Sequence, residues 1–414
     1  MKHRVHSKTK EFLPGLISGA ADNDPSGIST FSVAGIRFGY QQLWIPIIAT
    51  PMLISVQAMS ARLGDLKRQG LMSIIRSHYP PWVGILAGSI IVVTSIATLG
   101  ADLSAIAEAA AVFIPVPYYL LAIIAALSAW YIMVFRSYRI VEKYLSLLTV
   151  VFVCYVIAAF LAKPDWLAVL GSALIPSVTF SKDYFIMALG LMGTTITPPL
   201  FFWQSKQEIE EKIPPSELKR EAKHEDMHVA PGFILSNLIT FFVMVSTATV
   251  FHRRGIIQIE SATQAAIALE PLAGSGSMIL FAVGIIGAGL LAVPVFAASA
   301  AYTVSEMFGW KDSLSDPVRK AKAFYAVLTA VIIMGFIFSV SGIRPLHALL
   351  YSQVLNGMLA PFLIFILLKL CNDSNVVGNL KNRFFDNFFG ALTLVVMAVS
   401  TAVLIYFLVA GRAM

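Results

Sequence analysis

Long apolar runs alternate along the whole chain with short segments that carry most of the charge. A run of about 20 apolar residues is long enough to cross the hydrocarbon core of a bilayer as one helix. The pattern predicts an all-α polytopic membrane protein. It contains 11 predicted spans. They cover 12–38, 43–61, 82–112, 118–135, 144–162, 183–204, 230–251, 277–307, 322–342, 346–369 and 387–410.

Two of these spans are interrupted by polar residues and helix breakers. The first contains Asp22-Asn23-Asp24-Pro25-Ser26-Gly27, and the sixth contains Thr194-Thr195-Ile196-Thr197-Pro198-Pro199. Proline removes a backbone donor and disturbs the preceding helical turn. Unwound backbone at membrane depth is tolerated only where it is buried in protein or lines a cavity. Two interrupted spans in corresponding halves of a membrane protein indicate the substrate site of a transporter.

The spacing of the breaks predicts an inverted repeat. The second break comes five spans after the first, and an odd number of spans inverts the second copy in the membrane. We predict a cytoplasmic N-terminal segment at 1–11 and a single transmembrane domain over 12–410. Within that domain, repeat one covers about 12–162, repeat two covers about 183–369, and an extra helix covers 387–410.

Charge predicts the orientation of the chain in the cell membrane. Of the 30 Lys and Arg residues, 23 fall on the side that holds the N-terminus. By the positive-inside rule, we expect the N-terminus in the cytoplasm and the C-terminus outside. The net charge of +7 follows from this topology. No basic run is interleaved with aromatic residues, so we expect no nucleic-acid partner.

The first break offers ligands for a cation. The carbonyl of Ala21 should lose its helical partner at Pro25, and Asp24 adds a carboxylate. Gly27 permits backbone conformations that are closed to other residues. Carboxylate and carbonyl oxygens suit a hard cation. The alternative is a capped kink in which Asp24 bonds a neighbouring helix.

The second break can be interpreted in two ways. Pro198 and Pro199 should leave the carbonyl of Thr194 free, and Thr194, Thr195 and Thr197 add hydroxyls. Alternatively, the break is a proline kink with threonines bonded back to their own helix.

Three further polar residues lie within predicted spans. Asp102 and Glu108 belong to the third span, where they are part of an ion pathway, form a structural pair or lie nearer the membrane interface. Gln353 in the tenth span either faces the substrate or bonds a neighbouring helix.

Sequence motifs of enzymes are absent from the chain. No nucleophile elbow, phosphate-binding glycine loop or metalloprotease helix occurs, so we predict neither an enzyme nor an ATP-driven pump. The two cysteines suggest no disulfide framework and no cysteine metal cluster, and we expect no cofactor.

The region from 14 to 64 resembles the Nramp family of divalent metal transporters. The matching residues are Asp24-Pro25-Ser26-Gly27, Ala34-Gly35, Phe38-Gly39-Tyr40, Leu43-Trp44 and Gln57 through Gly64. Asp102 and Ser352-Gln353-Val354 with Pro361 also match, and the resemblance extends over the 11-span layout. It implies a LeuT-like 5+5 inverted repeat whose first and sixth helices are broken, and transport of manganese, iron and similar ions, usually with protons.

The two motifs depart from the family pattern. The family's first motif is Asp-Pro-Gly-Asn, and Gly27 stands where it has asparagine. Its second motif is Met-Pro-His, and Thr197-Pro198-Pro199 replaces both the thioether and the imidazole. By this resemblance, the metal site comprises Asp24, the carbonyls of Ala21 and Thr194, the Gly27 position, and also Thr197 and Gln353.

These departures favour a hard substrate. A thioether prefers transition metals, so its loss removes that preference. Space at Gly27 admits an ion that keeps part of its water, as magnesium does. The pattern resembles the Nramp-related magnesium transporters, a branch that also takes manganese. We predict import of Mg²⁺ and Mn²⁺ by alternating access in a monomer. Because the family's histidine and a basic residue inside span nine are both missing, we expect no obligatory proton coupling.

Three alternatives stay open on the sequence alone. One is proton-coupled transport of manganese or iron in the ordinary family manner. Another is a sodium-coupled solute symporter of the same fold, although Asp24 disfavours an anionic substrate. The third is a membrane scaffold or sensor that transports nothing.

Overall fold

The computed structural model describes Gly19 and residues 22–135, 150–210, 225–314 and 316–410. Across this part of the chain all regular secondary structure is helical. The predicted N-terminal segment at 1–11 and the candidate ligand Ala21 lie outside the described residues.

The helices follow the predicted apolar runs closely. In the first half they are α1 (Pro25–Phe38), α2 (Trp44–Lys67), α3 (Leu71–His78), α4 (Pro81–Ala110), α5 (Tyr118–Phe135), α6 (Cys154–Leu161) and α7 (Trp166–Leu174). Next come α8 (Lys182–Thr195), α9 (Pro198–Glu210), α10 (Glu225–Arg253) and the single turn α11 (Glu270–Ala273). The last five are α12 (Ser277–Phe308), α13 (Lys322–Ser339), α14 (Pro345–Asn372), α15 (Ser374–Val377) and α16 (Phe384–Ala410).

The number of spans can be compared with the 11 expected. Among the described residues, 9 helical segments are long and apolar enough to cross a membrane, or up to 10 if α6 and α7 count as one bent span. The first predicted span, 12–38, is described as helix mainly over the 14 residues of α1. The fifth, 144–162, is described only from residue 150 onward.

Three predicted loops contain helices that hydropathy did not indicate. The loop at 62–81 contains α3, which buries Leu71, Ile74 and Ile75. After the fifth span, α7 turns away from α6 by 120°. The loop before α12 forms a 3-10 helix, Ala262–Leu269, followed by α11. Short segments such as these lack the length of a span, and only packing against the bundle stabilises them.

Close helix packing brings the two broken spans together with α10 and α14. A Cβ atom built on Gly35 of α1 would lie 2.5 Å from the carbonyl oxygen of Met244 in α10. A Cβ atom built on Gly193 of α8 would lie 2.5 Å from the amide nitrogen of Gly357 in α14. Small residues at helix contacts let backbones approach in this way. The break in each span is therefore enclosed by protein.

Candidate functional site

The first break lies at Asn23 and Asp24, immediately before α1 begins at Pro25. Asp22 is still helical, whereas Asp24 has extended backbone angles and forms the N-cap of α1. Its Oδ1 accepts a hydrogen bond of 2.5 Å from the amide of Gly27. An acidic N-cap followed by proline is a favourable helix start, because proline needs no amide partner there. The sequence thus ends one helix and starts another at this point.

Gly27 lies where the two breaks approach closely, so the spare space expected at this position is not found. A Cβ atom at this position would lie 2.7 Å from Thr194 Oγ1 and 2.9 Å from Asp24 Oδ1. The backbone of Gly27 is helical, so the unusual conformations that glycine permits are not used here. What requires glycine here is the close approach of Asp24 and Thr194. The structure therefore brings together three of the predicted site residues.

The second break lies at Ile196 and Thr197, between α8 and α9. Ile196 leaves the helical region with φ −116° and ψ 65°, and α9 begins at Pro198. Thr197 Oγ1 donates to the carbonyls of Gly193 at 2.8 Å and Thr194 at 2.7 Å. The Thr194 carbonyl therefore accepts one side-chain bond in place of its helical partner and keeps a second lone pair. A hydroxyl that donates its proton backward still offers its oxygen lone pairs to a cation.

The hydroxyl of Thr194 neither accepts nor donates a bond among the described residues, whereas its carbonyl accepts one. Thr194 is 2% exposed, and its Oγ1 has no hydrogen-bond partner among the residues that the structure describes. By contrast, Thr195 Oγ1 donates to the carbonyl of Leu191 at 2.8 Å and is bonded back to its own helix. A buried hydroxyl without a partner is costly. The geometry thus favours the Thr194 hydroxyl as an ion ligand, next to Asp24 and Gly27.

Gln353 lies beside the second break but its amide is partly engaged. The side chain is fully buried, and its Oε1 accepts a 2.9 Å bond from Asn356 Nδ2. Asn356 also donates to Thr98 Oγ1 of α4 at 3.0 Å. The unpartnered atom of Gln353 is Nε2, which repels a cation. A metal-ligand role for Gln353 therefore requires the amide rotation that exchanges its oxygen and nitrogen.

Asp102 supports the first break from α4. Its Oδ1 accepts bonds from the amide of Ser26 at 3.1 Å and from the Ser26 hydroxyl at 2.6 Å. A carboxylate at the first turn of a helix stabilises the free amides there. Glu108 serves a different segment, because its Oε1 accepts from the amide and hydroxyl of Thr263, each at 3.1 Å. Asp102 therefore fixes the start of α1. Asp102 and Glu108 bond different residues, Ser26 and Thr263, and not each other.

The residues around the two breaks form an oxygen site. Asp24 supplies a carboxylate, Thr194 a hydroxyl, and Thr197 a hydroxyl oxygen. Neither broken segment contains a sulfur or imidazole ligand. The part of the chain that the structure describes contains no group of three or more His, Cys, Asp and Glu residues able to hold a metal. An ion here would meet few charged ligands and retain water, which suits a hard divalent cation.

Sequence reasoning missed two residues that shape this site. Asn356 orients Gln353 and links α14 to α4, and Ser26 couples α1 to Asp102. Asn356 carried a weak signal, since it follows Gln353 by three residues on one face of an apolar helix. For Ser26 the signal was its place at the second position of a helix that starts at Pro25.

The sequence matches a known family model over nearly its whole length. The model described as Nramp, natural resistance-associated macrophage protein-like, matches residues 15–407. The divalent metal cation transporter MntH of Mesorhizobium japonicum is 26% identical over 378 residues, which cover 89% of this chain and 82% of that relative.

Solved structures share the fold at lower identity. A manganese transporter of Eremococcus coleocola superposes with a TM-score of 0.76 at 22% identity, covering 94% of this chain and 85% of that one. Mhp1, a nucleobase-cation-symport-1 family transporter, gives 0.61 at 12% identity and covers 97% and 92% of the two chains. The fold is thus the LeuT-like inverted repeat, with the first and sixth helices broken.

Proposed function

The chain belongs to the Nramp family of divalent metal transporters, and from this premise we propose that it imports Mg²⁺ and Mn²⁺ into the cytoplasm without obligatory proton coupling. The ion would bind Asp24, the Thr194 hydroxyl and Thr197. The Ala21 carbonyl and Gln353, after rotation of its amide, are further proposed ligands. Gly27 would let the Asp24 carboxylate and the Thr194 hydroxyl approach each other closely. We propose that the single domain over 12–410 acts as a monomer.

The observation that carries this proposal is the close approach of Asp24, Gly27 and Thr194. Space for one additional atom at Gly27 is already limited by two oxygen atoms, so the site is narrow and lined by oxygen. Magnesium prefers oxygen ligands and gives up its water reluctantly. Manganese accepts the same ligands, since carboxylate, carbonyl and water oxygens suit manganese as they suit magnesium.

A second candidate is selective manganese transport. It is favoured by the names of the similar proteins, a divalent metal cation transporter and a manganese transporter. The two candidates differ in the ligand at Thr197. A hydroxyl does not discriminate against magnesium, whereas a thioether would. We therefore place magnesium with manganese first.

Influx into proteoliposomes tests the proposal directly. Wild-type protein should take up Mg²⁺, with Mn²⁺ as an effective competitor and Ca²⁺ as a weaker one. Asp24→Asn should reduce influx of both ions by at least about 100-fold, because neutral oxygens alone do not balance a divalent charge. Asp183→Asn, an exposed carboxylate at the other end of α8, is the matched control and should transport normally.

The possible outcomes separate the two candidates. Influx of Mn²⁺ without Mg²⁺ would support selective manganese transport. Influx of both ions that survives Asp24→Asn would overturn the site itself.

A further inference from the structure

The segment before the first break packs tightly against α10. A Cβ atom on Gly19 would lie 2.9 Å from the Cα atom of Gly232 in α10. One turn further along both segments, Ser236 Oγ donates a 2.7 Å hydrogen bond to Asp22 Oδ2. The contact therefore places a carboxylate of the first span against a hydroxyl of α10, next to the central site.

Asp22 is buried and only half satisfied. The residue is 5% exposed, and its Oδ1 has no hydrogen-bond partner among the described residues. Two adjacent amides are also buried and lack partners within that part of the chain. Asn23 is 2% exposed with its Oδ1 unpartnered there, and Asn237 is 4% exposed with both amide atoms unpartnered there. Buried polar groups without partners in a folded protein need an explanation, and an unrecorded ion or water is a common one.

Charge around the break is also uncompensated. Among the described residues, no ion pair involves Asp22, Asp24 or Asp102. The ion pairs of that part of the chain join Arg62 to Asp386, Lys206 to Glu306 and Asp312, and Arg254 to Glu270. One divalent ion at Asp24 balances at most two of the three negative charges. If all three carboxylates are ionised, a further positive charge is needed near the break, since a buried carboxylate without a counter-charge takes up a proton instead.

We propose that Asp22 and Ser236, with the adjacent amides of Asn23 and Asn237, form a second station for the transported divalent cation. This station rests on the proposed function. It lies before Asp24 in the chain, on the side predicted to face the cytoplasm, so an ion leaving the central site meets it on the way in. Its ligands are one carboxylate, one hydroxyl and amide oxygens, which suit a hard cation that keeps part of its water.

A second station has a physical use in release. An ion bound to Asp24 leaves slowly if it must return to water in one step. A second carboxylate two residues away lets the ion pass between sites of similar affinity, as multi-site conduction requires. Asp22 should therefore affect the rate of release more than the binding of external ion.

Binding of Mn²⁺ to the purified full-length protein tests this station. Free Mn²⁺ is counted by its paramagnetic resonance signal, with wild type, Asp22→Asn, Asp24→Asn and the double variant side by side. We expect two ions per chain in wild type, one in each single variant, and none in the double variant. Asparagine keeps the shape and can still accept the Ser236 bond, so folding should be retained.

Two separate serine substitutions on α10 provide a milder test in case Asp22→Asn fails to fold. Ser236→Ala should weaken the second Mn²⁺ about fivefold, the effect of losing one net hydrogen bond. Ser246→Ala is the matched control, since Ser246 is equally buried but donates to the carbonyl of Ala268 at 2.8 Å. It should leave both ions bound.

Transport kinetics give a second readout. Asp22→Asn should lower the maximal rate of Mn²⁺ influx about tenfold, while the KM changes less than about threefold. If the maximal rate falls and the KM rises by the same factor, Asp22 belongs to the central site.

The outcomes distinguish the two proposals. One Mn²⁺ in wild type that is lost in Asp24→Asn and kept in Asp22→Asn would remove the second station and leave the central site intact. Two ions retained in Asp24→Asn would overturn the central site instead. Release of the second Mn²⁺ by physiological sodium would contradict a station for divalent ions.

Discussion

At the residue scale, the site depends on which oxygen atoms are already engaged. The Thr194 carbonyl accepts a bond from Thr197, whereas the Thr194 hydroxyl is unpartnered and lies against the Gly27 position. Gln353 presents nitrogen because Asn356 occupies its oxygen. The identity of a residue in a motif thus indicates chemistry, but its bonds decide which atom can meet an ion.

Gly27 tests the role of space in the site. Gly27→Ala should reduce Mg²⁺ influx at least about tenfold, because the new Cβ would press on Thr194 and Asp24 and displace the ligand oxygens. The matched control is Gly84→Ala in α4, where a Cβ atom meets nothing within 4 Å. Normal influx by Gly27→Ala would mean that the two breaks do not meet in the transporting protein.

Thr197 tests ligand softness. Thr197→Met should shift the ratio of Mn²⁺ to Mg²⁺ influx about tenfold toward manganese, since a thioether favours transition metals. Thr197→Val is the control, because it removes the hydroxyl and its bonds to Gly193 and Thr194 without adding sulfur. If both variants show the same selectivity, the side chain at 197 does not face the ion.

At the element scale, proline alone does not break a helix in this protein. Pro51, Pro231, Pro294 and Pro361 all lie inside continuous helices. The two true breaks differ because a polar side chain engages the backbone at each one. Asp24 caps the amide of Gly27, and Thr197 bonds the carbonyls that lose their helical partners. Breaking a span thus requires both a missing donor and a replacement partner.

A buried ion pair fastens the last helix to the bundle. Arg62 Nη2 lies 2.9 Å from Asp386 Oδ2, with both side chains 3% exposed, and Arg62 Nη1 donates to Asn382 Oδ1 at 3.1 Å. The pair joins α2, in repeat one, to α16, which lies outside the predicted repeats. Its partners are separated by 324 positions in the sequence.

Asp386→Ala should lower the free energy of unfolding by about 3–5 kcal/mol, because it removes the carboxylate that lies 2.9 Å from the buried Arg62 guanidinium. Thermal unfolding in detergent would measure the loss. Glu270→Gln breaks the more exposed pair with Arg254, whose side chains are 44% and 35% exposed, and should cost at most about 1 kcal/mol. Similar losses in both variants would show that burial does not govern these pairs.

At the scale of the whole molecule, transport of a divalent ion is coupled to the membrane potential. Two charges that cross the full field gain about 4.6 kcal/mol per 100 mV, twice the value for one charge. This gain supports accumulation without a second ion. The central site contains no imidazole, and Asp24 is the only charged ligand proposed for it.

Uptake should therefore follow the potential rather than the proton gradient. In proteoliposomes, an inside-negative potential should accelerate Mg²⁺ influx, while a pH gradient imposed at zero potential should change it less than about twofold. A pH-sensitive dye inside the vesicles reports any proton flux, and protein-free vesicles measure leak. Proton entry in a fixed ratio to metal entry would establish the coupled alternative.

The sequence by itself determined the features that depend on neighbouring residues. Apart from the first and fifth spans, which are described only in part, apolar runs placed the spans within about six residues of the observed helices. Asp24-Pro25 and Thr197-Pro198 marked the two breaks. These signals are local, because hydropathy and the missing proline donor act on the adjacent backbone. The LeuT-like arrangement came from resemblance and from the spacing of the breaks.

Only the tertiary structure decided which distant groups meet. It placed Thr194 against Gly27, Asp102 on Ser26, and Asp22 on Ser236. These partners come from different spans, and periodicity carries no information on which helix faces which. It also decided which oxygens stay free, since that depends on every donor within reach. The sequence determines which side chain stands at a ligand position, whereas the packing determines whether its oxygen atom is free to bind an ion.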